Sequence, residues 1–353
     1  MFQKSLFNSG GRLRGSLCAC LFLVALACAA QPRLDIVDVP GRTLRDNPLH
    51  DPVERKAAVF LPAQYATNSH LRVVYFLPGY GGSPDSYIRQ PDKWLKLVQA
   101  EADRGLPMVL VVVDGRTRWG GSQYLNSSAQ GNYADYVMDE IVPLVESRYR
   151  LAVTRGNRVI AGHSSGGFGA LRLASMRPRL FGAVVALSPD SDFEVSHRPL
   201  MTVPAVSEFG VSQVMKVMGP APTAPVPADG GLKYALGLSA AYAPLGKNHP
   251  GEFDWLYDES GQFRESVWRR WMENDPLTIV RKNPRAFRAY QSVYLDGAAE
   301  DEYKANIGAR KIYEILRHRP GRCAFEEPPG KHSSRAAERL QRGLEWVFAA
   351  RVN

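Results

Sequence analysis

The chain has 353 residues, 45% of them hydrophobic and 22% charged, with 44 Lys and Arg against 35 Asp and Glu for a formal net charge of +9. That is the composition of a globular chain long enough for one large domain with a sizeable core. It shows no internal repeat, and the basic excess is spread without a Lys/Arg block, which argues against a nucleic-acid partner.

Lys4, Arg12 and Arg14 precede an apolar run from Leu17 to Ala30 that ends in small residues, "ACAAQ". This basic, apolar, small-residue order predicts a secretory signal peptide over residues 1–30, with Ala27 and Ala29 fitting an Ala-x-Ala site. The run is about 14 residues, shorter than the roughly 20 that span a bilayer, so no stable membrane insertion is expected after cleavage. The expected location is periplasmic or secreted. Lipidation at Cys28 is the alternative, and Leu26 is out of place for it. Cleavage lowers the charge to about +6 and removes Cys18, Cys20 and Cys28. Cys323 then stands alone, without a partner for an internal disulfide, and reads as a buried small hydrophobe.

Short β-rich runs follow at 56–62, 71–79, 107–115, 157–163, 181–189, 291–297 and 322–327. Several are nearly continuous Val, Ile and Leu, as expected for strands buried on both faces of a parallel sheet. Helical patterns lie between them. Residues 133–149 place Tyr133, Val137, Ile141, Leu144 and Val145 on one stripe, which Pro143 should kink. Residues 166–176, 301–317 and 333–351 also read as helices. The alternation predicts an α/β fold with a mostly parallel central sheet flanked by helices. Residues 190–275 break it. They hold the Pro/Ala-rich stretch 219–230 and the helix-like "ESVWRRW", and they read as a cap inserted over the carboxyl ends of the strands.

Residues 162–166, Gly162-His163-Ser164-Ser165-Gly166, form a G-x-S-x-G between the strand "NRVI" and a helix. That setting defines a nucleophile elbow. A serine on a strained strand-to-helix turn needs small neighbours two residues before and two after. Only Ser164 has glycine at both positions, so Ser164 is the candidate nucleophile. The backbone N–H of Ser165 becomes one oxyanion donor. The glycine-rich turn "YFLPGYGGSPDSY" ends an earlier strand and offers the N–H of Tyr80 as the second.

A serine nucleophile needs a base, and the base needs an orienting carboxylate. In α/β hydrolases these follow in the order serine, acid, histidine. His332, in "PPGKHSS" between the last strand and the last helix, is the best placed base. His318 sits at a helix end, and His197 and His249 lie in the insertion. Asp296 ends a strand and Asp301 lies just beyond it, and spacing alone does not choose between them.

The segments "YFLPGYGGSPDSY", "RVIAGHSSGGFGALRLASMRPRLFGAVVALSPD", "VWRRWMENDPLTIV" and "YLDGAAEDEYKANIGARKIYEIL" resemble the putative esterase family of α/β hydrolases. That family includes S-formylglutathione hydrolases, enterochelin esterase-like proteins, feruloyl esterases and mycolyl-transferring antigens. The likeness runs over most of residues 40–350. It implies Asp301 as the acid, through the Asp-Glu that follows the family's glycine, and it supports His332. Two departures bear on the pocket. Ser333 and Ser334 follow the histidine where bulky residues are usual, and Pro78-Gly79 stands where His-Gly is common.

The expectation is therefore an exported serine esterase of α/β-hydrolase fold that hydrolyses carboxylic esters or thioesters through an acyl-enzyme. Ser164, His332 and Asp301 carry the chemistry, and no metal or cofactor is required. Its partner is a small-molecule ester. Acyl transfer to an alcohol, or non-catalytic binding on the same scaffold, are the alternatives. Trp119, Tyr124 and Asn126 follow a strand at its carboxyl end and are expected to line the substrate cleft. Trp255 is expected to reach the substrate from the cap, with Phe253 and Tyr257 beside it.

Overall fold

The computed structural model describes residues 30–349 except 69–70, 152 and 219–223. The expected signal segment, with Cys28, lies almost wholly outside the described residues. Among those described, no helix is long and apolar enough to cross a membrane.

Among the described residues, eight strands form one sheet. They are β1 (Arg33–Val39), β2 (Arg55–Leu61), β3 (Arg72–Leu77), β4 (Met108–Val112), β7 (Arg158–His163), β8 (Ala183–Leu187), β9 (Ser292–Asp296) and β10 (Arg322–Glu326). A two-residue hairpin of β5 (Asn126–Ser127) and β6 (Gly131–Asn132) stands apart. The sheet order is β1-β2-β4-β3-β7-β8-β9-β10. β1 and β2 pair antiparallel, as do β2 and β4, and the strands β4, β3, β7, β8, β9 and β10 are parallel. All seven runs expected as strands appear. β1 is an addition: its residues are exposed and buried in turn only from Ile36 to Val39, as on an edge strand with one exposed face.

Both faces of the sheet are covered, and the side chains divide by the strand period of two. Val73, Tyr75 and Leu77 point into one apolar cluster, with Val137, Ile141, Leu171 and Ile312 from helices. Val74 and Phe76 point into the other, against Trp94 and Leu97 of the helix Pro91–Asp103 and Leu340 and Leu344 of the helix Ala336–Phe348. This is why those strands carry no polar face.

The expected kink at Pro143 takes a specific form. Helical turns at Tyr133–Asp135 and Val142–Arg148 are joined by a π-helical stretch, Tyr136–Ile141. Pro143 offers no N–H and crowds the carbonyl one turn back, and a wider turn just ahead of it accommodates both defects.

The insertion builds a third apolar cluster from Phe193, Tyr242, Trp255, Trp268 and Trp271, which packs on Trp119 and Phe168 of the sheet side. Its two ends are tied together. Asp275 Oδ1 accepts the Asp192 N–H at 2.8 Å, and the same carboxylate caps the helix Pro276–Lys282. Cys323 lies half-buried on β10, and burial, only partly offset by Arg319, pushes its thiol up to about 11. It is thus a packing residue with little thiolate character at neutral pH.

The register sets the parallel strand ends in one row: Leu77 beside Gly162, His163 beside Leu187, and Asp296 beside both Leu187 and Glu326. The loops leaving that row therefore emerge side by side at the carboxyl edge, the usual ligand position in such sheets.

Candidate active site

Ser164 follows β7 and precedes the helix Ser165–Met176 with φ 58° and ψ −124°. A side chain rarely adopts that backbone, and strain of this kind persists only where neighbours enforce it. Here the Ser164 N–H donates to Leu187 O at 2.9 Å, and Phe168 N–H returns to Ser164 O at 2.9 Å. The flanking glycines are needed for close approach. A Cβ on Gly162 would strike the backbone of Gly166, and a Cβ on Gly166 would overlap the Leu77 carbonyl.

Asp301, in the loop after β9, and His332, in the loop after β10, are paired: Nδ1 of His332 lies 2.8 Å from Asp301 Oδ2. Nδ1 carries the proton in this pairing, which leaves Nε2 with a lone pair. Burial alone would raise the Asp301 carboxyl, but the hydrogen bond and charge of His332, with bonds from Ser188 and Tyr303, hold it below the usual range. The carboxylate is therefore charged and oriented. Glu302 is also engaged, since its Oε2 accepts the His332 N–H at 2.9 Å. The Asp-Glu pair thus grips both the ring and the backbone of the same histidine.

Asp296 has a different place. It is fully buried and forms an ion pair with Arg339, whose Nη2 lies 2.6 Å from Oδ1 and whose Nε lies 2.8 Å from Oδ2. Arg339 also donates to His332 O at 2.8 Å, and His163 Nε2 approaches the same carbonyl at 3.0 Å. Asp296 therefore supports the histidine loop from below and does not touch the imidazole. His249 is exposed beside Glu252, and His318 is exposed past the end of the helix Ala305–Leu316.

Ser164 and His332 line one cavity of about 540 Å3, together with Tyr80, Asp190, His197 and Tyr234. The Tyr80 and Ser165 N–H groups donate to no protein acceptor among the described residues, which leaves both free for an anionic oxygen. Tyr80 is fixed by its side chain. Its hydroxyl meets the Trp119 carbonyl, and its ring packs edge-on to Tyr234 at 4.6 Å.

None of the four residues expected against the substrate lines this cavity. Trp119 is fully buried and contributes only its carbonyl, to Tyr80. Tyr124 lies beneath the elbow, with its hydroxyl donating to Pro78 O at 2.7 Å. Asn126 Oδ1 accepts from Ala134 and Asp135 N–H at the start of the helical stretch after β6. Trp255 is buried in the insertion's own core against Phe209, because a small helical insertion must spend its aromatics on its own packing.

The insertion does reach the cavity, through other residues: Ser196, His197, Leu200, Met201, Val203 and Tyr234. Asp190 and Tyr234 were not among the residues expected here, and His197 was weighed only as a base and set aside for its place in the insertion. Asp190 had a signal, since it follows β8 within "ALSPD" at the same edge as Ser164. His197 lies between two four-residue helices, and Tyr234 lies on the helix Gly230–Tyr242, which is buried on nearly all sides, so no periodicity points to a cavity.

The model of the putative esterase family matches residues 52–320. An esterase of Mycobacterium tuberculosis is 30% identical over 118 residues, which are 33% of this chain and 25% of that protein. The chain spans only 25% to 37% of the length of such curated relatives. Among solved structures, a ferulic acid esterase superposes with a TM-score of 0.58 at 19% identity, over 91% of this chain and 98% of that one. An S-formylglutathione hydrolase of Agrobacterium tumefaciens gives 0.57 at 16% identity, over 91% and 96%. The two structural likenesses agree with the strand order in showing an α/β-hydrolase fold, and the family match covers the elbow and the Asp301 loop alike: this chain belongs to the putative esterase family.

Proposed function

We propose that the protein is an exported serine esterase that hydrolyses carboxylic esters or thioesters. The observation that carries this reading is a strained serine and an Asp-oriented histidine facing one cavity, with two free backbone N–H groups beside the serine. Ser164 Oγ attacks the carbonyl carbon while His332 Nε2 takes its proton. Asp301 keeps the proton of His332 on Nδ1 and stabilises the imidazolium once it forms. The N–H groups of Tyr80 and Ser165 hold the developing oxyanion. His332 then protonates the departing alcohol or thiol, and the acyl group remains on Ser164. Water, deprotonated by the same Nε2, attacks the acyl-enzyme and releases the acid.

In the free protein the Ser164 hydroxyl is directed at Asp190 Oδ1, 3.4 Å away, a long and weak contact. Catalytic hydrogen bonds in unliganded sites often form only when substrate arrives, so a turn of the side chain toward His332 belongs to the first step. Export rests on the basic, apolar, small-residue order of the first 30 residues.

The test is turnover of p-nitrophenyl esters of graded chain length, with thioester and feruloyl substrates alongside, by the wild type and by Ser164→Ala. The proposal requires hydrolysis that Ser164→Ala abolishes while the fold is retained. Undiminished activity in Ser164→Ala would overturn it. For export, the N-terminus of protein recovered outside the cytoplasm should begin near residue 31, and an intact Met1 there would contradict cleavage.

A further inference from the structure

Asp190 is buried within reach of the candidate nucleophile, and the proposed mechanism gives it nothing to do. Its Oδ2 accepts from the Ser165 hydroxyl at 2.8 Å and lies 3.4 Å from Gln123 Nε2 and 3.3 Å from the Tyr234 hydroxyl. Among the described residues, its Oδ1 has only the Ser164 hydroxyl at 3.4 Å. When that hydroxyl turns to His332, Oδ1 is left without a protein donor inside the cavity. A buried carboxylate oxygen without a donor is costly, so this atom calls for one from outside the chain.

The neighbouring His197 is also an acceptor. Ser196 Oγ lies 2.9 Å from Ser191 O and 3.2 Å from Asp192 O, and both carbonyls only accept, so its proton goes to one of them. His197 Nδ1, 2.8 Å from Ser196 Oγ, must therefore donate to it. Burial lowers the pKa of His197 despite the opposing charge of Asp190, so the ring is neutral. Its Nε2 then presents a lone pair, 3.2 Å from the Tyr234 hydroxyl. Tyr234 has one proton to divide between His197 Nε2 and Asp190 Oδ2. This wall of the cavity holds more acceptors than donors, and it carries a negative charge.

We propose that Asp190, with His197 and Tyr234, forms a subsite for the acyl group and selects esters that bear a hydroxyl or protonated amine on the first or second carbon from the carbonyl. The placement follows from connectivity. A donor on that carbon is three or four bonds from Oγ in the acyl-enzyme, in the neighbourhood of Oδ1. The alcohol side of the ester must lie against His332, which protonates it. Leu200, Met201 and Val203 line the same cavity and favour an apolar remainder of the acyl chain. A carboxylate on the acyl group is disfavoured by like charge.

This inference rests on the serine-esterase reading above. The test measures kcat/KM for 2-hydroxypropionyl, 2-aminopropionyl and propionyl esters of one alcohol, each normalised to its hydroxide-catalysed rate. The wild type should prefer the hydroxyl and ammonium esters over propionyl by about 10- to 100-fold, the range of a hydrogen bond to a charged group. Asp190→Ala should remove both preferences. Asp190→Asn, which keeps an acceptor and loses the charge, should retain more of the hydroxyl preference than of the ammonium preference. A purely structural role for Asp190 predicts that all three esters fall together, which overturns the inference. The wild-type comparison stands even if neither variant folds: three equal normalised values overturn the inference alone, and no turnover of any ester overturns the esterase reading beneath it.

Discussion

The two carboxylates at the end of β9 and in the loop beyond it make opposite predictions, and their partners in the structure set both. Asp296→Asn leaves Arg339 buried without its charge partner. Breaking a buried pair in this way costs about 3–5 kcal/mol. For a domain of more than 300 residues each kcal/mol shifts the melting temperature by about 1.5 °C, so a fall of roughly 4–8 °C is expected. Asp296 touches neither the His332 ring nor the cavity, so the loss of turnover should be small and indirect, through the Arg339 bond to the His332 carbonyl. Asp301→Asn reverses the pattern. The amide no longer holds the Nδ1 tautomer or stabilises the imidazolium, and turnover should fall by about four orders of magnitude. The assay is p-nitrophenyl acetate hydrolysis at 25 °C paired with thermal melts followed by circular dichroism. A folded Asp296→Asn variant that loses more turnover than Asp301→Asn would refute the assignment of the two roles.

Trp255→Ala should destabilise the protein by about 3–5 kcal/mol and leave the acyl chain-length preference unchanged, because the indole fills the insertion's core away from the cavity; a changed preference with an unaltered melting temperature would contradict this placement. His163 is held down to about 4, first by burial and then by the charge of His332. Its folded pKa lies below the unfolded value near 6.5, so between those pH values the unfolded chain binds more protons and stability falls as pH falls. By pH 5 this amounts to at most about 2 kcal/mol, less whatever its residual exposure relieves. His163→Gln should therefore lose less stability than the wild type between pH 7 and pH 5 in urea unfolding, and equal losses would count against a neutral buried ring.

The sheet was legible because burial on both faces forces uninterrupted apolar runs, as in "VVYFL" and "MVLVV" of β3 and β4. Ser164 was legible because the close contact of Gly162 with Gly166 admits no side chain, and that constraint is written into the spacing. Asp296 and Asp301 were not separable by spacing, since one ends the strand that the other follows and only the distant Arg339 claims the first of them. The substrate-facing residues were the least legible. Trp119, Tyr124 and Trp255 are aromatic in either role, and which face of an irregular insertion meets the cavity depends on packing that no local period encodes. Asp190, His197 and Tyr234 converge from the loop after β8, the turn between the short helices Phe193–Ser196 and Arg198–Met201, and the helix Gly230–Tyr242.

The central claim is that Ser164, and not its neighbour Ser165, is the activated nucleophile. Labelling with a fluorophosphonate followed by peptide mass spectrometry tests it most directly. The account predicts a single adduct on Ser164 that is absent from Ser164→Ala and retained in Ser165→Ala. An adduct on Ser165, or no adduct on the correctly folded protein, would contradict it.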